Sequence, residues 1–162
     1  MYEFKRILVG LDLSDMDAFV IQYVDQICSM FGVEKIYFLH VVKSFELPPE
    51  LKEKYPDLLA PVDETYEHQL EMIINENFKS QVPYTIELHE GNPTDKILKW
   101  AKIKEIDLMV MGKKRTMAGN GVHASKLVKM GHCSMLFVPE LADMAIKRIL
   151  LPIDFSSHGR NA

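Results

Sequence analysis

The chain has 162 residues, 48% of them apolar and 26% charged, a balance that excludes a disordered chain and suits one globular domain with a sizeable core. Its net charge of −4, from 19 bases and 23 acids, argues against a nucleic-acid or anionic-membrane partner. Two distant cysteines, Cys28 and Cys133, form no CxxC, which argues against a disulfide framework or a zinc site and fits a cytoplasmic setting.

No apolar run approaches the roughly 18 to 20 residues of a membrane span. The first residues, MYEFKRILVGLDLSD, carry acids at Glu3, Asp12 and Asp15 and lack a small-residue cleavage site, so no signal peptide is expected. Arg6–Leu11 (RILVGL) reads as a strand buried on both faces. Ser14 is placed to cap the next helix, with Asp15 and Asp17 at its positive end. Val20, Ile21, Val24, Ile27, Cys28 and Phe31 follow at helical spacing, and Gly32 is expected to supply the stop.

Lys35–Val42 (KIYFLHVV) is the second buried strand. Four prolines, Pro48, Pro49, Pro56 and Pro61, predict a long semi-rigid connection over residues 43–62. Asp63–Phe78 is expected to be helical, with Tyr66, Leu70, Ile73, Ile74 and Phe78 on one face. Pro83–His89 alternates as a strand near a sheet edge does. After the turn Gly91–Asn92–Pro93, either Asn92 or Thr94 can cap a helix whose buried stripe is Ile97, Leu98 and Ala101. Asp107–Met111 is the fourth strand, and a loop rich in Gly and Lys follows from Gly112 to Gly121. Val122–Gly131 reads as a helix with Ala124, Leu127 and Val128 inside. Met135–Val138 is the fifth strand, ended by Pro139.

Strands alternating with helices in this way predict an α/β fold, a five-stranded parallel sheet with helices on both faces. Ligands of such sheets sit beyond the carboxyl ends of the strands, where the strand order reverses. The candidate places are Leu11–Ser14, His40–Val42 and Met111–Gly121. From Gly112 to Pro139 the chain carries five Lys or Arg and no acid, a local exception to its acidic balance.

Residues 148–157 (RILLPIDFSS) repeat residues 6–15 (RILVGLDLSD) at a distance of 142 residues, the length of a whole domain. This predicts a domain over 1–140, a linker over 141–147 and the first strand and turn of a second copy over 148–162. The tail is expected to pack on this domain or on a neighbouring chain.

Four segments together resemble the universal stress protein family: RILVGLDLSD, IYFLHVV, GNPTDKILKWAKIKEIDLMVMG and GVHASKLVKMGHCSMLFVPE. The resemblance implies a Rossmann-like sheet of strand order 3-2-1-4-5, a homodimer or tandem pair and, in some members, ATP in the crevice. A dimer or tandem contact would use the Met135–Val138 strand or the Arg148–Asp154 tail. Nucleic-acid and membrane partners are not expected, and neither is efficient catalysis.

ATP-binding members carry G-x2-G-x9-G-(S/T). Gly112 matches the first glycine, but Arg115 stands at the second, and Gly121 with Val122 stands at the end of a shortened loop. Phosphate binding needs converging backbone N–H groups before a helix. Gly119–Asn120–Gly121 offers these, with Lys113 and Lys114 as counter-charges and Ser125 as a hydroxyl donor. The alternative is a solvated basic loop from which nucleotide binding has been lost. The resemblance places Leu11, Asp12, Val41 and Met111 beside a nucleotide. Asp12 has a second reading, as the cap of the turn after the first strand. Other readings are structural: His40 as a hydrogen-bonded histidine, Trp100 as core or interface packing, and no Ser14–His40–Asp12 triad, since no G-x-S-x-G elbow is present.

Overall fold

The computed structural model describes residues 4–42, 54, 60–114, 120–143 and 146–150, except the side chains of 60–63 and 120–123. Five apolar runs form five parallel strands: β1 (Arg6–Leu11), β2 (Lys35–Val42), β3 (Tyr84–Glu90), β4 (Leu108–Lys113) and β5 (Ser134–Pro139). Their order is β3-β2-β1-β4-β5, as expected, so β3 and β5 are the edges. Helices α1 (Met16–Met30), α2 (Ala60–Asn77), α3 (Pro93–Ile103) and α4 (Asn120–Met130) make the crossovers.

The period-two alternation of the strands builds two apolar layers. Ile7, Val9, Ile36, Phe38 and Val110 face α1 and α2, where Val20, Ile21, Val24, Leu70 and Ile74 meet them. Leu8, Leu39 and Met109 face the other way, against Ile97, Ala101 and Leu127. Both faces are covered, which is why the central strands lack a polar stripe. Two aspartates staple the ends of this sandwich. Asp107 accepts hydrogen bonds from the backbone N–H groups of Lys5 (3.0 Å) and Arg6 (2.8 Å), locking the start of β1 beside β4. Asp25 accepts from Lys79 (2.8 Å) and Ser80 (2.6 Å), tying α1 to the turn after α2.

Several element ends differ from expectation. Ser14 does not cap α1: Asp15 holds the cap position without a side-chain bond. Gly32 is not its stop, because α1 ends where Phe31 turns extended (φ −124°, ψ 154°). Helix α2 starts at Ala60, three residues before Asp63, and Pro61 suits a first turn whose N–H needs no partner. The rest of the Pro-rich connection, apart from Lys54, lies outside the described residues. Asn92 rather than Thr94 caps α3, accepting from the Asp95 N–H at 3.3 Å, with Pro93 at N1. Val128 is 57% exposed and not inside, whereas Leu127 is buried. Of the repeat, only residues 148–150 are described: Ile149 and Leu150 are 83% and 92% exposed. The predicted packing of the tail from Leu151 onward lies outside the described residues.

Candidate functional site

Strand order reverses at β1, whose neighbours β2 and β4 carry their crossovers to opposite faces of the sheet. Beyond the carboxyl ends of these strands lies a cavity of about 880 Å³. Leu11, Asp12, Val41, Met111, Gly112, Lys113, Lys114 and Ser125 all line it. Eight of the sequence-predicted residues thus converge on one place. Gly119 lies outside the described residues. Gly121 and Val122 fall in α4, and their side chains are outside the description.

The β1–α1 turn forms one wall. Leu13 takes a left-handed backbone (φ 57°), a strained choice for a residue with a Cβ. Asp17 holds it there. Its carboxylate accepts hydrogen bonds from the N–H of Leu13 (2.7 Å) and of Asp12 (3.3 Å). Asp17 is only 3% exposed, and it lines the cavity. Burial pushes its carboxyl up to about 6; the N–H bond from Asp12 opposes the rise and the charge of Asp12 adds to it. Asp12 accepts from the Ser14 N–H at 3.2 Å, so its turn-capping reading holds. It also stands on the cavity wall, with Lys114 Nζ 3.8 Å from its Oδ2.

Histidine 40 secures the turn from the other side. Its Nδ1–H donates to the carbonyl of Leu11 at 2.9 Å, and its ring lies against Tyr66. A carbonyl only accepts, so this bond fixes the proton on Nδ1 and leaves Nε2 as the second ring nitrogen. His40 is therefore a hydrogen-bonded structural histidine that also lines the cavity. No triad exists: the Ser14 Oγ is buried without a hydrogen-bond partner among the described residues.

The opposite wall corrects the loop reading. Gly112 and Lys113 belong to β4, which runs two residues past the expected end and pairs Gly112 with Val138. A Cβ on Gly112 would lie 3.2 Å from Val20 Cγ2 and 3.5 Å from Met16. The glycine lets α1 approach the strand, a packing need rather than a phosphate-loop conformation. Helix α4 begins at Asn120, two residues early, so Ser125 lies in its second turn and not its first. Lys113 at the end of β4, Lys114 just after it and Lys129 of α4 all line the cavity. Lys126 instead pairs with Asp95 at 3.3 Å.

Met16, Asp17, Ile97, Lys129 and Phe137 line the cavity without having been singled out. Asp17 and Ile97 were read only as helix residues, and no local pattern distinguishes a helix residue over a crevice from one over the core. Trp100 packs away from this site, stacked on His89 (centroids 4.5 Å apart), with Lys104 over its ring. Both cysteines are free. Among the described residues, no three His, Cys, Asp or Glu gather to hold a metal, and no helix is long and apolar enough to cross a membrane.

The model of the universal stress protein family matches residues 3–139. Among solved structures, the chain is similar to universal stress protein UspA from Lactobacillus plantarum, with 24% identity, 84% of this chain and 98% of that chain covered, and a TM-score of 0.64. A universal stress protein in complex with cAMP is similar at 16% identity, 85% and 98% coverage and a TM-score of 0.59. A universal stress protein from Archaeoglobus fulgidus in complex with dAMP is similar at 15% identity, 85% and 98% coverage and a TM-score of 0.51. At these identities the likeness to solved structures speaks for the fold alone.

Proposed function

The chain belongs to the universal stress protein family, and from that premise we propose that it is a non-catalytic stress-response module whose crevice binds an adenine nucleotide. The observation that carries this reading is the cavity at the carboxyl ends of β1 and β4. Its volume lies in the range of small-molecule sites. Its lining holds both chemistries: Ile97, Met111 and Phe137 offer apolar surface to a base, while Lys113, Lys114 and Lys129 offer charge to phosphate. Two proteins of the same fold are described in complexes with cAMP and dAMP, which supports an adenine ligand over an unrelated one. ATP is a candidate within this class. The reading leaves out efficient hydrolysis, because Asp17 gives both carboxylate oxygens and His40 its Nδ1 to the backbone, and among the described residues neither is hydrogen-bonded to a nucleophile.

Calorimetric titration with cAMP, AMP and ATP tests the proposal. Saturable heat is expected, and Lys113→Ala with Lys114→Ala should weaken binding by about tenfold or more and reduce its salt sensitivity. No heat with any of them at millimolar concentration contradicts the reading.

The proposal extends to a partner, a second copy of the chain or a second domain. The Met135–Val138 strand supports it by lying at the sheet edge, where unpaired backbone groups favour association. The exposed Ile149 and Leu150, which open the repeat, support the Arg148–Asp154 tail as the other route. Light scattering should give twice the chain mass at micromolar concentration if copies pair, and chain mass throughout counts against a homodimer. The free cysteines suit a cytoplasmic setting.

A further inference from the structure

Asp17 places a carboxylate on the wall of the proposed nucleotide cavity. It is held on the cavity wall, 3% exposed, by the N–H groups of Asp12 and Leu13. Buried carboxylates ordinarily carry a cationic partner, yet Lys114, which lines the same cavity, pairs with Asp12 instead. The two backbone bonds also stop the side chain from swinging away when a ligand enters. Around the same cavity stand Lys113 at the end of β4, Lys114 just after it, Lys129 from α4, Asp12 from the turn and His40 from β2.

We propose that Asp17 is a specificity-determining residue of the crevice, whose fixed charge selects nucleotides bearing a single phosphate charge over polyphosphates. This rests on the nucleotide-binding reading above. Coulomb repulsion scales with ligand charge, so a cyclic phosphate meets Asp17 with one charge and a triphosphate with about four. The lysines attract both ligands, but only the repulsive share belongs to Asp17. A bound anion also raises the proton affinity of a neighbouring carboxylate, both by its charge and by excluding water. Binding therefore takes up protons near pH 6, and by linkage affinity rises as pH falls from 7.5 to 5.5.

The test is calorimetry on the full chain with cAMP and ATP. cAMP serves as the pH probe because a phosphodiester does not titrate in this range. The wild-type chain should bind cAMP more tightly than ATP by about tenfold. Asp17→Asn should tighten ATP binding by about tenfold or more and cAMP binding by about threefold or less. At pH 6, in two buffers of different ionisation heat, the wild type should take up a fraction of a proton on binding cAMP. That uptake should vanish in Asp17→Asn. Equal effects of Asp17→Asn on both ligands overturn the inference, as does uptake that persists in Asp17→Asn. The wild-type pH profile needs no variant: cAMP affinity that is flat or falls from pH 7.5 to 5.5 also overturns it. If neither nucleotide binds at millimolar concentration, the nucleotide-binding reading falls, and this inference with it.

Discussion

The Asp17 carboxylate is kept from water by α1 and by the turn it ties down, so its ionisation carries a cost that the unfolded chain does not pay. Its folded-state pKa of about 6 lies above the ordinary value of 3.8. Between those values the native protein binds the extra proton, and unfolding releases it. The stabilising contribution is therefore full below about pH 4 and is lost as pH rises through about 6. Asp17→Asn removes the titration. The unfolding free energy of wild type minus that of Asp17→Asn should fall by roughly 2 to 3 kcal/mol between pH 4 and pH 7. Urea unfolding of both proteins across that range measures it, and a difference independent of pH would show that Asp17 ionises as it does in the unfolded chain. Gly112 acts at the same scale by having no side chain: a Cβ there would crowd Val20 Cγ2 at 3.2 Å.

Helix α3 shows how an element end is closed by residues distant in sequence. Ile106 N–H donates to the Ala101 carbonyl at 2.9 Å and Glu105 N–H to that of Lys102 at 3.3 Å, with Glu105 in the left-handed region (φ 51°). This paired pattern closes helices most comfortably on glycine. Here the Arg6 side chain bonds both the Lys104 carbonyl and the Glu105 carboxylate from β1. The pair is solvent-exposed and contributes little, so Glu105→Gly should raise stability by about 1 kcal/mol, read as a higher thermal midpoint. A lower midpoint would mean that the Arg6 contact outweighs the backbone strain. Strand and helix identities were legible from the apolar runs and their periods, because each element buries a face that its own sequence displays. The β4 end was not: Gly112 and Lys113 look like loop residues, and only pairing with Val138 and Pro139 makes them strand. The start of α4 was missed for a similar reason, since Asn120 and Gly121 carry turn chemistry but lie within the helix.

At the scale of the molecule, the parallel sheet decides where chemistry is possible. Its two faces are filled by helices, so the reversal of strand order at β1 leaves the opening between α1 and α4 beyond the strand ends. That position was legible from the order of elements alone. The proposed phosphate end was less so, because the glycine spacing is broken at Arg115 and Val122 and one of its lysines, Lys129, comes from α4 beyond the motif. Charge placed by tertiary structure can replace a glycine-rich loop without leaving a local pattern. Asp17 is the same kind of residue: at the helix start it reads as a dipole partner, and its role as a buried tie for the turn emerges only once β1 and α1 pack. The crevice as a nucleotide site is tested most directly by following backbone amide NMR shifts while cAMP is added. Saturable shifts are expected at Gly10–Asp12, Val41 and Met111–Lys114, with the β3 edge unmoved. Shifts centred elsewhere, or none at millimolar cAMP, would contradict it.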